Sequence, residues 1–420
     1  MAEDHAAVLR DLGGREIAPV RAPDLWARPG VWHRLSPRLR AKAVAGAAPL
    51  GDEGPRLPLG APPDSEIERK PLQARPRYVV AGKNVFLAGQ RALIDPGEPD
   101  AREKLPADVP ESASAGPGLV NDVLLLPAPF FDQSRPLSAF PHEFRMTHGV
   151  NRAGERLRIE ADAQLEAPID TPIVALGSTE SRNYGSWLFR ILPKLLLLDE
   201  IPEAAGGALL LPMEAEWMRE IVAAAAPGRQ VIAQEVTTIT PLADVLAPSL
   251  AAPGNVFPSE LRQALAAFAA RLIGTVPSQG SAGRRLYVSR RGWSKTAPRR
   301  ILVNEDEIVA RLGALGFEEV RPESLLLRPR IAAFRDAEIV IGPSGSGLFN
   351  CVFCRPGTTI LELEPHGGFR PMHQSLYRSL GLAHAFLRGE IVSPGPAPAH
   401  PNWRIEADAV LRIAEACAAR

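Results

Sequence analysis

The sequence predicts an α/β protein built from two alternating strand–helix blocks, and three observations carry that prediction. Apolar runs of strand length alternate with helical patterns from residue 172 to 274, and again from residue 285 to 336. Such alternation argues for parallel sheets covered by helices. The second block then runs into IVIGPSGSGLFNCVFCRPGTTILELE at residues 339–364, which reads as strand, glycine-rich turn, short helix, Pro-Gly turn and strand.

In the first block, residues 172–177 (PIVALG), 207–212 (GALLLP) and 229–236 (RQVIAQEV) have strand length and apolarity. Between and after them, residues 187–198, 215–226 and 259–274 read as helices, the first with the polar Asn183 at its start. SQGSAG at 278–283 is small and polar, and serves as the domain boundary. In the second block RLYVSR is a strand, and Asn304 with Glu307 three residues on resembles a capping box. Ile308, Val309, Leu312 and Leu315 then share a helical face that Gly316 ends. FEEVRPE is a strand, Pro329 suits the first turn of a helix running to Asp336, and residues 407–420 form a closing helix. Upstream, YVVAG, NVFLAG and RALIDPG from Arg77 read as a small β meander. Residues 1–75 are rich in Pro, Ala and Arg, with linker-like stretches at 51–66 and, further on, at 96–118. The expected division is an irregular, β-rich extension at 1–75, a first domain at 76–279 and a second at 280–420.

Composition narrows the function classes. A chain of 420 residues has room for two cores. Lys+Arg and Asp+Glu balance at 48 each, which argues against generic nucleic-acid binding. Three cysteines are too few for a disulfide framework and fit a reducing compartment. The opening MAEDHAAVLRDLGG is polar, and the longest apolar runs fall far short of the ~20 residues that span a bilayer. A cytoplasmic location is expected, with peripheral membrane contact and oligomeric state left open.

The glycine turn carries the chemistry. Gly342, Gly345 and Gly347 let a ligand approach the backbone, and a helix from about Leu348 would aim its free N–H groups into the turn. Upstream, residues 284–300 hold seven basic residues and no acidic one. Together these features point to a ligand bearing a diphosphate. A tight β–α connection that binds nothing is the plainer alternative, as a solvated edge is for the basic run. GPSGSG is not G-x-S-x-G, because Ser346 replaces the last glycine, and Asn350 spoils G-x-G-x-x-G. A hydrolase using Ser344 or Ser346 is therefore the weakest reading. Cys351 and Cys354 form a single C-x-x-C, read as small buried hydrophobes, and the eight histidines show no ligand spacing. No metal site and no cofactor are expected.

Several blocks resemble glycosyltransferase family 61. They are NYGSWLFRILPKL (183–195), YVSRRG (287–292), RRILVNEDEI (299–308), GFEEVRPE (316–323) and FRDAEIVIGPSGSGLFNCVFCRPGTTILEL (334–363). The resemblance spans about residues 77–382 in the family's order. It implies a GT-B fold with two Rossmann-like halves facing a cleft. It also implies metal-independent, inverting transfer of a sugar from a nucleotide donor, a UDP-sugar, to a polysaccharide or lipid-linked acceptor, as in bacterial capsular polysaccharide biosynthesis. Gly342, Gly345, Gly347 and Asn350 fall on the family's Gly-Pro-His-Gly-Ala-Gly-Leu-x-Asn turn, with Ser344 and Ser346 inside it. Glu362 falls on its strand-end glutamate, where GT-B enzymes often hold the nucleotide ribose. Arg290 is the leading diphosphate contact, since a guanidinium fork matches phosphate oxygens. Asn183, Tyr184 and Trp187 lie on the acceptor side. The family has His where this chain has Ser186 and Ser344, and Asp where it has Arg190. Those departures leave Glu180, Ser186 and Ser344 as weak catalytic candidates, because a serine cannot act as general base unaided. They also keep open a catalytically inactive member that retains nucleotide binding as a scaffold.

Overall fold

A computed structural model describes residues 16–17, 30–34, 38–46, 48–50, 72–74, 77–90, 92–96, 124–127, 150–153, 156–159, 164–178, 180–274, 283–291, 300–365, 371–394 and 401–418. The linker-like stretch at 51–66, nearly all of 96–118 and the boundary residues 278–282 lie outside them. The chain divides into two compact units, residues 1–47 with 75–253 and residues 48–74 with 254–420.

The first unit centres on a nine-stranded mixed sheet. Its strands are β1 (His33–Arg34), β2 (Leu39–Ala45), β3 (Arg77–Ala88), β4 (Ala92–Asp95), β5 (Leu124–Pro127), β6 (Ile173–Ala175), β7 (Ala208–Leu211), β8 (Val231–Ala233) and β9 (Ile239–Pro248). The main path runs β8-β7-β6-β9-β3-β2-β1, with β4 and β5 as a side branch. Strands β8, β7, β6 and β9 are parallel, as the alternation predicts. The remainder is antiparallel, so the expected meander is no separate feature: YVVAG and NVFLAG fuse into the twelve-residue β3, which pairs with β9 along most of its length. Strand β9 was not foreseen, because Pro241 and Pro248 weaken its strand signal.

A helical stretch, α1 (184–196), follows β6 and contains a π segment at Trp187–Ile191. The N–H of Leu192 reaches back to the Trp187 carbonyl, opening the turn just before Pro193, which has no N–H to give. Helix α2 (Glu216–Ala225) buries Met218, Ile221 and Val222.

The second unit holds a six-stranded sheet: β10 (Arg284–Val288), β11 (Phe317–Val320), β12 (Ala337–Pro343), β13 (Thr359–Pro365), β14 (Ala383–Ser393) and β15 (Asn402–Arg404). Its order is β11-β10-β12-β13-β14-β15, parallel except for the last strand. Its helices are α3 (Ser259–Ile273), α4 (Glu305–Ala314), α5 (Leu327–Arg335), α6 (Pro371–Ser379) and α7 (Ala407–Ala418). Helix α3 contacts α5 and belongs to this unit, upstream of the boundary read from the sequence. In α4, Ile308 and Leu312 are buried, and Gly316 follows with φ +80°, as the periodicity predicts. Its capping box does not form: the Asn304 amide instead exchanges hydrogen bonds with the Ile405 backbone, tying α4 to the segment before α7.

Gly342 shows how tightly β10 and β12 are joined. A Cβ there would stand 2.8 Å from the Val288 carbonyl oxygen and 2.9 Å from Val288 Cβ. Gly342→Ala must push the two central strands apart, and should cost about 1–3 kcal/mol in chemical denaturation.

Candidate active site at the sheet switch point

In a doubly wound sheet, ligands bind beyond the carboxyl ends of the strands, where the strand order reverses. Here that point lies between β10 and β12. Ser289 and Arg290 follow β10, and residues 344–347 follow β12.

The turn is built around Gly345, whose φ of +148° is a backbone state that side chains disfavour. A Cβ there would stand 3.3 Å from Arg290 Nη1 and 3.4 Å from Arg300 Nη2. Two guanidinium groups from separate segments thus converge over one glycine. Arg290 Nη1 also donates to the Ser344 carbonyl at 3.1 Å, and its backbone N–H donates to Glu305 Oε1 at 2.8 Å. Glu305 further accepts from the Tyr287 hydroxyl at 3.2 Å, so a buried carboxylate fixes the end of β10. Burial works against the charge on Arg290, while Glu305, Glu323 and Glu364 favour it. A partly desolvated cation of this kind gains most from an anionic ligand.

The helix expected from Leu348 is only a six-residue 3-10 segment, Leu348–Phe353. Its first N–H groups are already used: Leu348 and Phe349 donate to the Gly345 carbonyl, and Asn350 donates to that of Gly347. The Asn350 side chain also donates to the Gly347 carbonyl, at 2.8 Å. Anion recognition at this turn therefore falls to the arginine side chains rather than to a helix terminus. Gly347 lies against Val288 and Pro322, and Ser346 is half-buried.

Glu362 does not face an open pocket. It is buried, with Oε1 2.8 Å from His373 Nδ1 and Oε2 3.2 Å from His384 Nε2. Burial alone would raise its pKa, but the two histidines outweigh that and hold it well below the usual carboxylate range. Glu364, two residues on and on the same strand face, behaves oppositely. Burial and the neighbouring Glu362 push it up to about 7, against a hydrogen bond from Ser344 and the charges of His373 and Arg300. Cys351 is buried and Cys354 half-buried; burial raises the Cys351 thiol pKa, as expected for a structural residue.

Among the acceptor-side candidates, Asn183 is exposed and its Oδ1 accepts from Ser186 N, capping α1. Tyr184 is half-buried, edge-on to Trp217. Trp187 is fully buried, donates from Nε1 to the Ser181 carbonyl at 2.6 Å and also meets Trp217 edge-on, so it offers no face to a sugar. Ser186 is buried in the helix, whereas Glu180 is exposed with φ +53°.

Sequence reasoning singled out Arg290 but not Arg300, Glu305, Glu364, His373 or His384. One signal was present: Glu362 and Glu364 occupy alternate positions of a strand whose every other residue is apolar or Thr. Two carboxylates on one face of a buried parallel strand demand partners.

Residues 184–361 match the family model described as Glycosyltransferase 61. Over this region, somewhat less than half of the chain, the sequence is similar to glycosyltransferase family 61. The match runs from α1 to the middle of β13 and so takes in the arginine-lined turn. It ends one residue before Glu362, outside the family-61 region. No curated protein matches the chain. That similarity points to glycosyl transfer, a reaction that takes a sugar donor and an acceptor. Among the described residues, no helix is long and apolar enough to cross a membrane.

Proposed function

We propose that the protein transfers a sugar from a nucleotide donor, a UDP-sugar, to a polysaccharide or lipid-linked saccharide acceptor in the cytoplasm, with inversion. The observation that carries this reading is the convergence of Arg290 and Arg300 over Gly345 at the sheet switch point. Transfer leaves negative charge on the departing diphosphate. Two fixed guanidinium groups stabilise that charge without a metal at the phosphates. The reading uses a GT-B organisation in which the second unit takes the donor and the first unit, through Asn183 and Tyr184, contributes to acceptor recognition.

The substitutions at Ser186, Ser344 and Arg190 favour a second reading, a nucleotide-binding scaffold without turnover. Ser344 supports it further, because its hydroxyl is engaged with Glu364 and its carbonyl with Arg290.

Titration calorimetry with UDP, using GDP and ADP as controls and repeated with EDTA, tests both. Selective UDP binding followed by turnover of a UDP-sugar is the expected result. UDP binding with no turnover of any donor, and no gain from Ser344→His, selects the scaffold. Failure to bind any nucleotide overturns both readings.

A further inference from the structure

Beneath the glycine turn lies a buried polar cluster that anion recognition does not use. Strand β13 supplies Glu362 and Glu364, helix α6 supplies His373 and, one turn later on the same face, Tyr377, and β14 supplies His384. All five are buried. Ligand atoms of Glu362, Glu364 and His373 lie within 4.8 Å of one another.

Two atoms in this cluster are orphaned. Glu364 Oε1 and the Tyr377 hydroxyl are both shielded from solvent and have no hydrogen-bond partner. The Tyr377 ring lies 4.6 Å from that of His384, and its hydroxyl is within electrostatic reach of Glu362 and Glu364. Buried polar groups without partners are rare, and two facing the same cluster indicate a missing occupant. Glu364 Oε1 stands 3.8 Å from His373 Nδ1, too far for a hydrogen bond. That spacing suits two ligands of a common ion, each about 2.0–2.2 Å from it. A dication would also relieve the juxtaposition of two buried carboxylates.

We propose that Glu362, Glu364 and His373 form a buried site for one first-row divalent cation, with His384 orienting the Glu362 carboxylate. One imidazole and two carboxylates are a ligand set that suits Zn²⁺ or Mn²⁺ better than a soft, thiolate-seeking ion. Cys351, with its raised thiol pKa, stays outside it. The ion pins β13 and α6 together, and through His384 it braces β14. Its role is structural, distinct from holding the donor diphosphate. The C-x-x-C and the histidine spacing gave no hint of it, because the ligands come from a strand and a helix rather than from one motif.

The test uses the full chain, stripped with chelator and dialysed, with Zn²⁺ and Mn²⁺ alone as probes. Elemental analysis after gel filtration should find about one ion per chain, and the melting temperature should rise on loading. Glu364→Gln, which keeps the side-chain shape, and His373→Ala should each weaken binding by at least 100-fold and erase the thermal shift. His384→Ala should weaken it about 10–100-fold, as removal of an orienting partner does. Mg²⁺ at the same concentration should produce no shift. The inference is overturned if wild-type protein retains no ion and shows no thermal shift. It is equally overturned if folded Glu364→Gln binds Zn²⁺ as wild type does. None of these readouts depends on glycosyl transfer.

Discussion

Replacing Arg290 and Arg300 together by alanine will abolish measurable UDP binding, and Arg290→Ala alone will weaken it by about 1–3 kcal/mol. Both guanidinium groups converge on Gly345, so each should donate to the same anionic group. Their effects should therefore be coupled rather than additive. Arg290→Lys separates charge from geometry: it keeps the cation but loses the fork that grips two oxygens, and should fall between wild type and alanine. Calorimetry on protein whose circular dichroism is unchanged is the measurement. Unaltered affinity in a folded Arg290→Ala variant would remove this residue from the donor site, and with it the proposed means of stabilising the leaving group.

Trp187→Ala should destabilise the protein by about 3–5 kcal/mol in urea, the range for emptying a large aromatic from a core. Trp187 is fully buried, and its indole N–H closes a hydrogen bond to the Ser181 carbonyl inside the same local structure. Trp187→Phe keeps ring packing but leaves that carbonyl without its donor. It should cost less than alanine and more than a simple change of volume. UDP affinity of either variant, measured where it remains folded, should match wild type. A large loss of sugar transfer with no loss of stability would instead return Trp187 to the acceptor site.

Much of the fold was legible because most strands and helices announce themselves within a dozen residues. The runs around Ile173, Leu209 and Ile339 are strands, and α4 ends where Gly316 says it should. What could not be read depended on distant partners. Strand β9 carries two prolines, and it is a strand because β3 and β6 flank it. Asn304 has the right neighbour for a capping box, yet Ile405, a hundred residues on, captures its side chain. The candidate site divides in the same way. Gly345 and Arg290 stand in local motifs, whereas Arg300 approaches Gly345 from 45 residues upstream, out of a loop that looked like solvated edge. His373 and His384 acquire meaning only once α6 and β14 are folded against Glu362.

The division of the chain also bears on how the protein is made. The second unit comprises residues 48–74 as well as 254–420, and the first comprises residues 1–47 and 75–253. The polypeptide therefore passes from one unit to the other three times. During synthesis, the strands at Ala48–Leu50 and Leu72–Ala74 leave the ribosome long before the rest of their unit exists. The second unit cannot mature as an independent late product, and a fragment beginning at Gly254 would lack part of its own structure. Only the second unit must wait for the end of translation, and any gene fusion or split that treats residue 253 as a clean seam will part residues 48–74 from the rest of that unit.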